Sequence, residues 1–265
     1  MIEECPVINP EMNELDLVYR RPESLLDVRM HYCPGCGHST VHKILMEVVD
    51  ELGIKNDTIG VAPVGCSVLA YEYMDVDMHQ AAHGRATAVA TGIKRVLPDK
   101  YVFTYQGDGD LAAIGTAETI HSANRGENFL IIFINNGIYG MTGGQMAPTT
   151  PIGGKTATSP YGRDKVSMGA PIDITGILAG LSGTFYATRQ SVHDTKGVRK
   201  TKKALTKALT YQKLNKGLCI VEVVSNCPSG WKLTPYEANK WMEENMLTMY
   251  PLGDIKVPAK EDLES

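Results

Sequence analysis

Apolar positions recur at helical spacing from His38 to Leu52, through Val41, Ile44, Leu45, Val48, Val49 and Leu52, and Gly53 suits the end of that helix. Thr58-Ile59-Gly60-Val61 predicts a short strand, followed by a turn at Gly65-Cys66-Ser67. His83 to Val96 predicts a helix rich in small residues, stopped by Pro98. Tyr101 to Tyr105 predicts a strand that runs into Gly107-Asp108-Gly109-Asp110, with a helix from Leu111 to about Asn124. The unbroken apolar run Phe129 to Ile134 suits the middle of a parallel sheet covered on both faces, and it ends in Asn135-Asn136-Gly137. Further strands are expected at 184–188 and 218–224, with helices near 173–181, 198–214 and 235–246. Strand and helix alternate, which predicts an α/β fold with a mostly parallel sheet flanked by helices.

Two stretches lack periodicity. Residues 143–171 are rich in Gly, Pro and Thr, and structureless runs of that length inside a domain are usually functional loops. Residues 1–30 are polar and broken by Pro6, Pro10 and Pro22, and read as an arm lying on a neighbour or on the domain surface. The domain proper is expected over 31–252, followed by a polar, exposed tail over 253–265.

Composition narrows the classes. The chain has 265 residues and a formal net charge of -4, enough for one sizeable core and without the basic stripe that nucleic acid demands. Apolar runs are too short to span a bilayer, so no membrane partner is expected. The start, Met1-Ile2-Glu3-Glu4-Cys5, is acidic and lacks the apolar core of a secretory signal, which places the six cysteines in a reducing cytoplasm. No strand leads into the G-x-G-x-x-G of a nicotinamide enzyme.

The two glycine- and asparagine-bearing strand ends carry chemistry together. In an open parallel sheet, ligands bind beyond the carboxyl ends of the strands, where both motifs lie. A hard cation such as magnesium takes oxygen ligands, and Asp108 and Asn136 offer a carboxylate and an amide carbonyl. Gly107 and Gly109 let the backbone approach a diphosphate, and a helix N-terminus near Leu111 offers free N–H groups to it. Either motif alone is an ordinary strand-ending turn. In this order they resemble the signature of thiamine-diphosphate enzymes, and by that resemblance Asp108, Asn136 and the carbonyl of Ile138 hold magnesium.

The cysteines add a second chemistry. Cys33-Pro34-Gly35-Cys36 alone fits half a zinc site, a redox pair before a helix, or a structural pair. Cys66 and Cys227 also lie on loops at element ends, and four such cysteines suit a [4Fe-4S] cluster. Cys219 sits inside a predicted strand and reads as an inert core thiol, while Cys5 is the substitute if Cys227 is not a ligand.

The whole set resembles the thiamine-diphosphate-binding (beta) subunit of 2-oxoacid:ferredoxin oxidoreductases. The resemblance rests on Cys-Pro-Gly-Cys-Gly-His, Val-Gly-Cys-Ser, His83-Gly84-Arg85, Gln-Gly-Asp-Gly-Asp and Asn-Asn-Gly-Ile-Tyr-Gly-Met-Thr-Gly-Gly-Gln, and covers about Cys33 to Cys227. It implies a thiamine-diphosphate-binding fold over 31–252, and a [4Fe-4S] cluster on Cys33, Cys36, Cys66 and Cys227. It also implies cofactor contacts from Gly65, Ser67, His83, Arg85, Gly107, Asp108, Gly109, Asp110, Asn136, Ile138 and Thr142. The implied reaction is coenzyme A-dependent oxidative decarboxylation of a 2-oxoacid, with electrons leaving through the cluster to ferredoxin. The activating glutamate would come from an alpha subunit carrying the pyrimidine-side domain, and a ferredoxin-like subunit is a further candidate partner.

Several residues stay open. His83 and Arg85 fit a capping role as well as a cofactor role, and Thr142 and Gln145 fit solvated turn positions as well as contacts to diphosphate or substrate. The basic stretch Lys196 to Lys207 suits an acidic partner or coenzyme A phosphates, or simply a solvated helix face. Some relatives that take 2-oxoglutarate or pyruvate have a lysine where this chain has Gly143, which favours a branched-chain acid such as 2-oxoisovalerate, with 2-oxoglutarate as the alternative. From other classes, a non-oxidative thiamine enzyme or a zinc-binding structural subunit would use only part of the pattern.

Overall fold

The computed structural model describes residues 18–264. In chain order its strands are β1 (Thr58–Ala62), β2 (Asp77–Gln80), β3 (Tyr101–Gly107), β4 (Leu130–Asn135), β5 (Ile138–Tyr139), β6 (Gln145–Met146), β7 (Thr184–Ser191), β8 (Leu218–Val224) and β9 (Gly253–Lys256). The helices that matter here are α1 (Gly37–Glu51), α2 (Ala86–Val96), α3 (Thr116–Arg125), α4 (Lys165–Met168), α5 (Ile174–Ala179), α6 (Thr195–Gln212), α7 (Pro228–Trp231) and α8 (Pro235–Trp241). Seven strands make one sheet in the order β2-β1-β3-β4-β8-β7-β9, parallel throughout except for β9. β5 and β6 form a separate antiparallel ribbon.

Alternate side chains of each central strand enter opposite cores. Leu130, Ile132 and Ile134 of β4 pack with Phe103 and Tyr105 of β3 beneath α1 and α6, through Val41, Leu45, Val48, Leu205 and Leu209. Ile131 and Phe133 face the other way, against Ala86 and Ala90 of α2, Ala123 of α3 and Leu178 of α5. A strand buried on both sides needs no polar face, which is why β4 reads as an unbroken apolar run. The expected α/β fold with a mostly parallel sheet is what the chain adopts.

Three local expectations change. The helix expected from His83 begins at Ala86, because Gly84 takes φ +75° and turns the chain before it. The helix expected from Leu111 is split into a π-turn over Asp110–Ile114 and α3. The pivot is Gly115, where a Cβ would lie 2.4 Å from the Asp110 carbonyl oxygen and 2.7 Å from that of Gly84. The tail is not wholly irregular, since β9 pairs antiparallel with β7 and forms the sheet edge. In the described part of the N-terminal segment, Ser24 and Leu25 are buried, and Leu25 bridges Met74. Cys5 lies outside the described residues.

The long loop over 143–171 contains the β6 strand and α4, and a buried arginine organises it. Arg163 donates to the carbonyls of Ala147, Pro148 and Thr150 on one side and of Gly169 and Ala170 on the other. Burial of its guanidinium is tolerable because its donors find acceptors.

Candidate functional site

The chain segments leaving β1, β3 and β4 open into one cleft of about 200 Å³. Gly65, Ser67, His83, Gly107, Asp108, Gly109, Asp110, Asn136, Ile138 and Thr142 all line it, together with Cys66 and His38. Of the residues expected to meet a cofactor, only Arg85 is not in the lining.

Three oxygen donors converge on its floor. Asp108 is 4% exposed. The head of the Asn136 side-chain amide lies 3.3 Å from Asp108 Oδ2 and 2.8 Å from the Ile138 carbonyl oxygen. Turned one way its NH2 donates to both; turned the other way its carbonyl oxygen joins them as a third acceptor. A carboxylate, an amide oxygen and a main-chain carbonyl gathered at one point fit a hard cation, because three acceptors with no donor among them repel one another. Burial pushes the Asp108 carboxyl up to about 7, against the pull of hydrogen bonds that favour its charge. One of those bonds comes from Thr149, whose hydroxyl donates to Asp108 Oδ2 at 2.9 Å. The Gly109 amide donates to Oδ1 at 3.0 Å. Gly109 also leaves room for the Tyr139 ring, which would stand 3.0 Å from a Cβ there.

Asp110 lines the cleft but its oxygens are already taken. Oδ1 accepts from the backbone amides of Val64 and Gly84 and sits 2.8 Å from His83 Nδ1, while Oδ2 accepts from Gln106 at 2.6 Å. It therefore staples the segments after β1 and before α2 to the end of β3, which is how three separate segments share one wall. Arg85 turns away to pair with Glu118 of α3 at 2.7 Å. Thr142 hydrogen-bonds within its own turn, to Gln145 and the Tyr139 carbonyl.

The four predicted cluster cysteines gather beside this cleft. A Cβ on Gly140 would meet Cys227 Sγ at 3.0 Å and Cys66 Sγ at 3.7 Å, so both thiols face the same glycine. Cys36 caps the start of α1, with Cys33 one turn before it. Burial pushes the Cys66 thiol up to about 11 and the Cys227 thiol up to about 12, and the neighbouring cysteines push the same way. All four are free thiols, and among the described residues no three His, Cys, Asp or Glu side chains close on a single-ion position. Cys219 is a buried core thiol in β8, as its strand position implies.

Sequence relationships agree with this geometry. Residues 63–223 match the family model for the thiamine pyrophosphate enzyme, C-terminal TPP binding domain. The chain is 37% identical over 245 residues to the 2-oxoglutarate synthase subunit KorB of Methanocaldococcus jannaschii, covering 90% of this chain and 85% of that one. The chain belongs to the thiamine-diphosphate-binding (beta) subunits of 2-oxoacid:ferredoxin oxidoreductases. The chain is also 44% identical over 254 residues to the ketoisovalerate oxidoreductase subunit VorA of Methanothermobacter thermautotrophicus, covering 92% of this chain. This chain spans only 53% of that relative's length. A solved 2-oxoglutarate:ferredoxin oxidoreductase from Magnetococcus marinus, with 2-oxoglutarate, coenzyme A and succinyl-CoA bound, superimposes with a TM-score of 0.71 at 26% identity. It covers 86% of this chain, which spans 74% of that one.

Two residues of this beta subunit's site escaped sequence reading. Thr149 lies in the aperiodic loop, and nothing local marks it as a partner of Asp108. His38 belongs to a quoted motif, but only the fold shows that its ring enters the cleft. It is one of a group of buried rings: His38 stacks on Tyr32 with centroids 4.7 Å apart, and His42 Nε2 lies 2.9 Å from the Tyr32 hydroxyl. Burial, with His31 adding to it, pushes the His38 imidazole down to about 4, so it is neutral near pH 7. No described helix is long and apolar enough to cross a membrane.

Proposed function

We propose that this chain is the catalytic beta subunit of a cytoplasmic enzyme that oxidatively decarboxylates a 2-oxoacid to acyl-CoA and carbon dioxide, with ferredoxin as the electron acceptor. The observation that carries this reading is the meeting of Asp108, Asn136 and the Ile138 carbonyl in a cleft walled by Cys66, with Cys227 behind Gly140. When bound, thiamine diphosphate supplies an electron sink for the loss of carbon dioxide, and a [4Fe-4S] cluster accepts electrons one at a time. Asp108, Asn136 and Ile138 would hold Mg2+, and Gly107 and Gly109 would let the backbone close on the diphosphate. Gly65 and Ser67 would line its other side. Cys33, Cys36, Cys66 and Cys227 would hold the cluster. Burial makes thiolates costly at Cys36, Cys66 and Cys227, so the positive charge of the iron would offset that cost.

The cleft favours an apolar 2-oxoacid. Its lining carries Val64, Ile114, Ile138 and Met141, and no lysine or arginine to meet a second carboxylate. Gly143 takes φ +112° and Gly144 φ +85°, so a side chain at either position would strain the turn that follows Met141. These features, with the likeness to a ketoisovalerate oxidoreductase subunit, favour 2-oxoisovalerate. The second reading is 2-oxoglutarate, supported by the KorB relative and by the Magnetococcus structure, with the distal charge met by an alpha subunit.

The test is viologen reduction by the native complex, purified without oxygen, with coenzyme A and pyruvate, 2-oxoglutarate, 2-oxoisovalerate or an aryl pyruvate. Reduction fastest with 2-oxoisovalerate is expected. No reduction with any acid, from a complex retaining iron and thiamine, sinks the proposed reaction.

A further inference from the structure

His38 is 2% exposed and belongs to the first turn of α1, yet its ring lines the cleft alongside Ser67 and Asp108. Its Nδ1 lies 3.0 Å from the hydroxyl of Tyr105 on β3. Tyr105 is fully buried, and that nitrogen is the hydroxyl's hydrogen-bond partner among the described residues. The other imidazole nearby, that of His42, is engaged with Tyr32. A buried hydroxyl places its proton on an acceptor when one is in reach, so Tyr105 donates and Nδ1 accepts. In the neutral ring the proton then sits on Nε2, because the partner of one nitrogen sets the state of the other. The face of the ring is fixed by Tyr32, whose plane lies within 11° of it. No hydrogen bond from a described residue reaches Nε2.

We propose that His38 is a ligand-binding residue of this site, whose Nε2–H donates to an anionic oxygen of the molecule in the cleft, with Tyr105 as the positioning residue that fixes its tautomer. The inference rests on the reading that the cleft takes thiamine diphosphate and a 2-oxoacid. Both molecules present such an oxygen: a diphosphate oxygen in the first, a carboxylate oxygen in the second. A donor built this way keeps its geometry before the ligand arrives, so little reorganisation opposes binding. An acceptor nitrogen at the same place would instead repel the anion, which is why the Tyr105 contact matters.

The experiment uses the complex purified anaerobically through a tag on this chain, as the parent and as His38→Gln, His38→Asn, His38→Leu and Tyr105→Phe. Three quantities are read: affinity for thiamine diphosphate at fixed Mg2+, KM and kcat for the preferred 2-oxoacid, and iron content as a folding control. Losing a hydrogen bond to a charged oxygen costs about tenfold or more. His38→Leu should lose that factor in cofactor affinity if the partner is the diphosphate. If the partner is the substrate carboxylate, KM should rise by that factor with cofactor affinity unchanged. His38→Gln, with an N–H of similar reach, should recover most of it, and Tyr105→Phe should lose part. If His38→Leu loses its iron, His38→Gln against His38→Asn decides, since the shorter amide falls short of the ligand. Variants that match the parent in cofactor affinity, KM and kcat overturn the inference. A parent that binds cofactor but turns over no 2-oxoacid sinks the proposed function instead, and the cofactor measurement alone then decides the role of His38.

Discussion

Asp108 is a buried carboxyl whose charge is supported by one side-chain hydroxyl, that of Thr149, beside backbone amides, and this makes Thr149 the residue to perturb. Its hydroxyl fixes Oδ2, the oxygen nearest the Asn136 amide. Partners that orient a metal ligand typically change metal affinity by about tenfold to a hundredfold. Thr149→Val should therefore weaken Mg2+-supported binding of thiamine diphosphate by about tenfold, and Thr149→Ser should keep most of it. Asp108→Ala should abolish that binding. Calorimetric titration of the complex at fixed Mg2+ checks all three, and a valine variant with parental affinity would remove Thr149 from the site. At this scale the sequence was legible where function is local. Gly107-Asp108-Gly109 and Asn135-Asn136 are contiguous, and the fold brings them together as their strand ends imply. Thr149 was not legible, because it reaches Asp108 across 41 positions from a loop with no pattern of its own. Asp110 and Arg85 have partners that the sequence did not show, for a related reason. A charged residue beside a motif reads as a ligand contact until its actual partners, four groups for Asp110 and Glu118 for Arg85, are in view.

Among the elements, those with one strong burial pattern were legible and those at edges were not. β4 and β8 announce themselves as apolar runs, and α1 as a helical stripe. β2 does not, since Asp77-Met78-His79-Gln80 is an edge strand with mostly exposed side chains. β9 was hidden in a polar tail because its place depends on pairing with β7 rather than on burial. α1 carries a further consequence. Its inner face holds His42, fully buried among Tyr32, Tyr73, Tyr105 and the rings of His31 and His38. Burial first, and then the neighbouring histidines, push the His42 imidazole well below its ordinary value of 6.5. The unfolded chain takes up a proton below about pH 6.5 while the folded chain does not, so stability falls as pH drops through that value. At pH 5.5 the cost from this one ring is about 1 kcal/mol relative to pH 7.5. His38 acts in the same direction. Urea midpoints of the complex at the two pH values should show the loss, and His42→Gln should reduce it. An equal loss in the variant would mean that another group carries the effect.

For the whole molecule, the decisive feature is what the cleft lacks on its open side. Its acidic lining residues are Asp108 and Asp110, one committed to the oxygen cluster and the other to its staple. No glutamate lines it, whereas thiamine enzymes use one on the aminopyrimidine side to promote formation of the reactive carbanion. Outside the cleft, the long loop held by Arg163 presents Tyr161 and Val166 at 97% and 95% exposure, apolar area that a lone subunit gains nothing by showing to water. Half a site and an unpartnered apolar loop belong together if a second chain both closes the cleft and covers the loop. The chain spans 53% of the length of the VorA relative. This chain expressed alone should therefore bind thiamine diphosphate weakly and reduce no viologen with any 2-oxoacid. Co-expression with an alpha subunit should restore both, with cofactor affinity rising by at least about tenfold as the open side is closed and its water excluded. Anaerobic gel filtration followed by dye reduction on each fraction separates the cases. Activity in a fraction containing only this chain would mean that the glutamate lies within it, and Glu→Gln substitutions across the chain would then locate it.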